Sequence, residues 1–218
     1  MRATDWSGGL FHDGQTPADA LAGGPEADAE TRAAGAEGAR LVRLMRDLAI
    51  VQRGDPILTR RDLVPFALPE EADVARSVLD ALIRKADEIT GRYDFHGRGM
   101  GLAAPQIGLP RRACLVRSPV EAEQIVLLNP VVTERGPDGP PEFFEGCLSF
   151  FSVRGRVPRP AWIVVDHAAL DGTTRQTRFD GVTARVLMHE LDHLDGILFT
   201  ERMPATERLV PVEEYRQL

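Results

Sequence analysis

Cysteine is nearly absent: Cys114 and Cys147 are the two in 218 residues. At most one disulfide could form. A chain of this length, with 43% hydrophobic residues, can build its core without a staple. Cys114 sits in the apolar run RRACLVR, where a free thiol packs as a small hydrophobe, and it is expected to be buried and inert. Long apolar runs are missing too. No stretch is long enough to span a bilayer, and the N-terminal MRATDWSGGLFHDGQTPADA lacks the apolar segment and flanks of a secretory leader. A cytoplasmic protein is the expectation. A basic excess is the third absence. The chain carries 26 Lys+Arg against 33 Asp+Glu, a formal net charge of −7. That balance argues against a general nucleic-acid binder and gives no reason to expect binding at an anionic membrane.

Large apolar residues are scarce up to about Arg40, in PADALAGGPEADAETRAAGAEGAR. Little folding energy is available there, so residues 1–40 read as a flexible extension and 41–218 as the folded domain. In ARLVRLMRDLAIV, Leu41, Leu44, Met45 and Leu48 recur at helical spacing, and Gly54–Pro56 should break that helix. A second helix is expected in LPEEADVARSVLDALIRKADEI, with Pro69 at its start and Val74, Val78, Leu82 and Ile89 on one face. A glycine-rich loop should run from Gly91 to Gly108. ACLVR, QIVLLNP, VVTER, AWIVVDHAAL and TTRQTRF read as strands. A last helix should start with Asp180 as N-cap and end at Gly196. Helices and antiparallel strands without βαβ alternation predict an α+β fold. No internal repeat is visible.

The last helix carries HELDHLDG, His189–Gly196. Residues i and i+4 share a helix face, so His189 and His193 can both turn an imidazole nitrogen to one ion. Glu190 lies one position round, within reach of a water held by such an ion and poorly placed as a third ligand. This is the logic of two ligands plus a general base. The competing reading is two ordinary helix histidines. No histidine follows His193, and the later glutamates are Glu201, Glu207, Glu213 and Glu214. Cys147, in EGCLS beside Gly146, is the better third ligand, with a plain buried thiol as its alternative. A Cys-His-His set leaves one position open, the mark of a catalytic site. It would accept zinc, cobalt, nickel or iron. GMGLAAPQIG contributes Gly99 and Gly101, which permit close backbone approach to a ligand, and Gln106, an amide donor suited to a developing oxyanion. It lacks the third glycine of a dinucleotide loop.

GMGLAAPQIG, EGCLS and HELDH, in this order and spacing, resemble the peptide deformylases. The likeness runs from about Gly54 to Met203, and includes GDPIL near its start, VRGRVPR after the cysteine and HLDG after the second histidine. It implies strands packed around a central helix bearing the two histidines. It also implies removal of formyl from the N-terminal methionine of new polypeptides, with Fe(II) held by Cys147, His189 and His193. On that reading Glu190 moves the proton, while Gln106 and the Leu148 backbone N–H steady the oxyanion. A formylated peptide is the implied partner, met at the ribosome exit. The alternative is a deformylase-like amidohydrolase acting on a small formylated metabolite. A His-Glu-x-x-His endopeptidase and a non-enzymatic metal module are weaker readings, lacking a downstream ligand and ignoring Glu190 respectively.

Counting back from His189, Val186 and Val182 share the ligand face. With Met100 and Phe143, added by resemblance, they predict an apolar pocket for a methionine side chain. Their competing reading is ordinary core. Gly99, Gly101 and Glu145 complete the expected substrate wall. Arg159 and Asp192, the latter pointing away from the ligand face, are expected to pair and fix the helix to the strands. The family usually shows Val-Pro-Gly where this chain has Phe150-Phe151-Ser152, and Gln where it has Met188. Neither departure touches a ligand or the base. Both bear on packing and substrate fit.

Overall fold

The computed structural model describes residues 35–139 and 143–217. The expectation for residues 1–34 lies outside them. Helix α1 spans Ala36–Asp47, so the boundary expected after residue 40 falls inside it. Leu41, Val42 and Met45 line its buried face. Its start has no side-chain cap of its own. Glu213, near the other end of the chain, accepts the Gly38 N–H at 2.6 Å and satisfies one of the orphan donors of the first turn. The helix ends earlier than Gly54 because Ala49 takes a left-handed conformation, φ 53°. Residues 50–52 then have no regular structure, and a turn follows at 53–54. Asp55 caps the short 3₁₀ turn Pro56–Thr59 by accepting the Ile57 N–H at 2.9 Å.

Helix α2, Ala72–Arg92, buries Ala75, Val78, Leu82, Ala86 and Ile89, a stripe spaced by threes and fours. Pro69 is not its first residue. It sits three residues earlier, after a cis bond from Leu68. The expected loop from Gly91 to Gly108 holds regular structure: α2 runs through Arg92, strand β1 covers Met100–Ala103 and a 3₁₀ turn covers Ala104–Ile107.

Strands β2 (Ala113–Arg117), β3 (Ile125–Arg135), β6 (Trp162–Ala168) and β7 (Thr174–Asp180) join β1 in a five-stranded antiparallel sheet, order β1-β2-β3-β6-β7. QIVLLNP and VVTER form one strand, β3, because its ladder shifts register around Pro130, which has no N–H to give. Strands β4 (Phe144–Cys147), β5 (Phe150–Arg156) and β8 (Val210–Pro211) make a second antiparallel sheet, order β4-β5-β8. A short helix α4, Val212–Tyr215, follows β8.

Both faces of the larger sheet are covered. Along β2, Ala113 and Leu115 join the core under α1 and α2, while Cys114 and Val116 join a second core under the last helix. This is the period of two expected of a strand, with both faces dry. That last helix, α3, spans Gly181–Leu194 with Asp180 as N-cap, and Gly196 follows at φ 68°. Asp180 makes no side-chain cap bond; its carboxylate pairs with Arg178 instead. Every residue from Leu187 to Leu194 is buried. A helix buried all round is central to its domain. Leu187, Leu191 and Leu194 face the large sheet, which turns His189 and His193 toward β4. Met188 also lies in that second core, so an apolar residue there has an apolar environment.

Candidate metal centre and active site

Cys147 ends β4, and both histidines come from α3. The Cys147 sulfur, His189 and His193 each offer a ligand atom, and these atoms lie within 4.8 Å of one another. The Cys147 Sγ is 3.2 Å from His193 Nε2. All three residues are buried, and both cysteines are free thiols. Burial, then the nearby His189 and Arg159, hold the His193 pKa well below its usual value. Its ring is therefore neutral and has a lone pair to give. Cys114 stands apart: burial pushes its thiol pKa up, and it packs within the second core.

His189 is fixed from behind. Glu145 Oε2 lies 3.0 Å from its Nδ1, which leaves Nε2 as the ligand nitrogen. Glu145 is itself held by Arg159 through two 2.9 Å bonds and by Arg185 at 3.0 Å. Burial works against the Glu145 charge, but Arg159 and His189 outweigh it and hold the pKa at about 2. Arg159 also donates to Asp192 Oδ2 at 2.5 Å, and Arg202 donates to Asp192 Oδ1 at 2.8 Å. Arg159 and Asp192, paired in the sequence reading, thus touch directly. Glu145, read there as substrate wall, borders the cavity but spends both oxygens on this network. Sequence spacing carried no signal for that role, since its partners come from distant segments. Phe199 stacks on His189 from another side, and Phe150 stacks on Phe199 with ring centres 4.9 Å apart. The first departure from the family pattern therefore backs a ligand.

Glu190 is buried, and its Oε2 has no hydrogen-bond partner among the described residues. Burial pushes its pKa up to about 7, suiting a group that takes and returns a proton near neutrality. Gly101 exists for it: a Cβ there would lie 2.5 Å from the Glu190 Cδ and 2.6 Å from its Cγ. Gly99 sits at φ 76°, and a Cβ there would meet the Arg117 carbonyl at 2.8 Å. Gly146 makes room for the Arg154 guanidinium, 2.7 Å from where its Cβ would be. At Gly101 and Gly146 the close neighbour is thus a side chain of this chain.

Gln106 stands in the 3₁₀ turn after β1. Its Oε1 accepts the Ala103 N–H at 2.8 Å, which aims its Nε2 at Cys147 Sγ, 3.6 Å away, and Ser149 Oγ, 3.4 Å away. The segment after α1 ties both sides together. Val51 N–H donates to the Gln106 carbonyl at 2.9 Å, and Arg53 N–H to the Ser149 carbonyl at 2.8 Å. Leu148, in the turn between β4 and β5, faces the same space.

These groups open into one cavity of about 460 Å³. Gly99, Met100, Gly101, Phe143, Glu145, Val182 and Val186 all border it, as do Gln106, His189 and Glu190. Val182 and Val186 are only half-buried and border the cavity, though Val186 also packs against the second core and Met100 belongs to the first, so the pocket wall and the core share these residues. Phe143 is 55% exposed and forms its rim, with Arg185 over its ring. Tyr93, Phe95, Phe151, Arg154 and Tyr215 also line it; of these, only Phe151 was singled out from the sequence, as a departure bearing on substrate fit.

The Cys-His-His set, a neutral imidazole and a partnerless buried carboxylate suit a divalent metal with one position left for chemistry. The polypeptide deformylase family profile matches residues 48–209. A peptide deformylase from Thermomicrobium roseum is 36% identical over 175 residues, 76% of this chain and 92% of that protein. The crystal structure of peptide deformylase from Thermus thermophilus superposes with a TM-score of 0.56 at 37% identity, covering 71% of this chain and 84% of that one. A class I type b peptide deformylase from Acinetobacter baumannii, with Met-Ala-Ser bound, gives 0.59 at 32%, covering 71% and 96%.

Proposed function

The chain belongs to the peptide deformylase family, and from that premise we propose that it removes the formyl group from the N-terminal formyl-methionine of nascent polypeptides, releasing formate. The observation that carries this reading is the Cys147–His189–His193 group, reaching the cavity through His189 beside the buried Glu190 and the aimed Gln106 amide. Peptide deformylases are metalloenzymes, and this group fits a metal. We take the ion to be Fe(II), on the family's pattern; Zn, Ni or Co would suit the same donors.

When bound, such an ion supplies a water of lowered pKa and polarises the formyl oxygen. Glu190 accepts the proton of the attacking water at a carboxylate oxygen and returns it to the departing amine nitrogen. Gln106 Nε2 and the Leu148 N–H donate to the oxygen that gains charge as the formyl carbon becomes tetrahedral. Val182, Val186 and Met100 hold the methionine side chain. The outer edges of β1 and β4 have no strand partner among the described residues, so an extended peptide can lie between them as an added strand. On this reading the enzyme meets such ends as they leave the ribosome, in the cytoplasm. No helix among the described residues is long and apolar enough to cross a membrane.

The test is formate release from a formyl-Met tripeptide by the anaerobically iron-loaded protein, beside small non-peptide formamides. Faster turnover of the small formamides would move the substrate from nascent chains to metabolites. Equal rates for zinc and iron forms would remove the reason to name iron.

A further inference from the structure

The outer part of the cavity has more positive charge than the reaction needs. Arg154, on β5, is 8% exposed and borders the cavity beside Gly146. Its Nη1 donates to the carbonyls of Phe151 at 2.9 Å and Val153 at 2.7 Å. Its Nε and Nη2 have no hydrogen-bond partner among the described residues, and no carboxylate pairs with it there. A buried guanidinium is ordinarily paired. Arg98, in the loop before β1, borders the same space. Its guanidinium lies over the Tyr215 ring, 5.2 Å from its centre, and it too has no carboxylate partner among the described residues. Among those residues, the only carboxylates bordering the cavity are Glu145 and Glu190. The first is committed to Arg159, Arg185 and His189. The second stands beside the ligand histidine. In a chain of net charge −7, two unmatched arginines at one mouth are a local reversal of sign that focuses anions. Burial lowers the pKa of Arg154, and Arg98 adds to that effect, so an anion between them would relieve both.

The surroundings suit a peptide rather than a free ion. Phe151 lies under Arg154 with the guanidinium carbon 4.6 Å from its ring centre, and meets Tyr93 edge-on at 5.0 Å, so aromatic rings back this cation at the cavity. Phe151 is one of the residues at which this chain departs from the family's usual pattern. We propose that Arg154 and Arg98, beside Tyr215, form a carboxylate subsite that favours formylated peptides carrying an acidic group one or two residues beyond the methionine. This rests on the deformylase reading. The carboxylate can belong to an Asp or Glu side chain or to the end of a short chain. Guanidinium binds either through paired N–H donors.

The test compares matched peptides on the full-length metal-loaded protein. The side-chain arm sets formyl-Met-Asp-Ala-amide against its Asn form, and formyl-Met-Ala-Asp-amide against its Asn form. The terminal arm sets formyl-Met-Ala acid against its amide. At least one arm should favour the carboxylate about tenfold in kcat/KM, or ~1.4 kcal/mol, carried by KM. Calorimetry with the same peptides lacking formyl should give a similar ratio in affinity. That ratio should fall below about threefold in Arg154→Gln and shrink in Arg98→Gln, whose exposed site tolerates change if the buried variant does not fold. Turnover of every peptide without a carboxylate preference, or a preference that survives both substitutions, overturns the subsite and leaves the deformylase reading standing. Selective binding of the acidic peptides with no formate released sustains the subsite and overturns that reading.

Discussion

Gly101→Ala adds one methyl group and should cost most of the activity. The new Cβ would sit 2.5 Å from the Glu190 Cδ and 2.6 Å from its Cγ, with a carboxylate oxygen closer still. Turning the carboxylate alone cannot relieve a clash that includes Cγ. Either the whole Glu190 arm changes rotamer, or β1 moves off α3. Overpacking of this kind costs roughly 1–3 kcal/mol when the structure holds still. Glu190 is the softer side, because its Oε2 has no partner among the described residues to keep it in place. The strand is the harder side, since all of β1 is paired to β2. The base should therefore yield. A displacement near 1 Å in a reacting group costs about 100-fold, so kcat for a formyl-Met peptide should drop by about that factor.

The measurements are kcat, metal content and melting temperature on the same preparation. Metal should stay near one per chain, because Cys147, His189 and His193 are not touched. Melting should fall by no more than ~2–12 °C for a loss of that size. Gly91→Ala is the control: a Cβ there meets nothing within 4 Å. That residue is in α2, where Ala should stabilise by about 0.5–1 kcal/mol and leave kcat alone. A Gly101→Ala enzyme with kcat within threefold of the native protein would refute the claim that this glycine exists to admit the base.

Glu190→Ala should keep its metal and lose about 10²–10⁴-fold in turnover; near-full turnover with one metal per chain would sink its role. Native protein should prefer formyl-Met over formyl-Asp peptides by at least about tenfold in kcat/KM, and Val186→Asp should erase that preference with metal retained. If both peptides are cleaved alike by the native enzyme, the methionine pocket is elsewhere. Arg159→Met strands Glu145 and Asp192, but Arg185 and Arg202 remain beside them, so the loss should be about 3 kcal/mol, the lower end for a broken buried pair; an unchanged melting temperature would contradict it. A chain starting at Gly35 should keep activity and stability. One starting at Leu41 loses the Gly38–Glu213 bond and the Glu37–Arg216 pair and should melt several degrees lower, and equal melting of the two would show that this latch contributes nothing.

What could be read from the sequence was whatever repeats locally. The i, i+4 histidines, the alternation in ACLVR and the helical spacing of apolar residues after Arg40 are short-range signals, and helices α1 and α3 and strands β2, β6 and β7 followed from signals of this kind. Strands β1, β4 and β5 were not legible as strands. β1 and β4 are four residues long and contain Gly101 and Gly146, whose absent side chains serve Glu190 and Arg154 rather than the ladder. Pro69 misled because its local preference for a helix start gave way to a turn held by Glu71, which accepts the Ala67 N–H at 2.8 Å. At the site, the ligands and base were visible because one helix turn and one cysteine motif carry them. Of the support behind them, only the Arg159–Asp192 pair was anticipated. Glu145, Arg185 and Arg202 come from separate segments, and only folding shows that Glu145 meets Arg159, Arg185 and His189, and Arg202 meets Asp192.

That support explains why the ligand geometry can stand ahead of any ion. Arg185, His189 and Asp192 follow one another along α3 at spacings of four and three, so they share a face; Asp192, expected to point away from the ligand face, thus lies on the side where His189 meets Glu145. Arg185 and His189 both bond Glu145 on β4, and Asp192 bonds Arg159, which returns to Glu145. A rotation of α3 that moved His189 off its bearing would have to break all of these contacts together. Each broken contact would leave a charge buried without its partner, at a cost of several kcal/mol. Gln106 and Ser149, which follows Cys147 by two residues, are held by the bonds from residues 51 and 53. The site is thus clamped from two directions by groups that touch neither substrate nor reacting atoms. Changes in the outer cavity, such as Phe151, can retune which peptide fits without loosening the ligands. Phe150 is different, since its ring backs His189 through Phe199, and a smaller residue there should disturb the metal before it disturbs the choice of substrate.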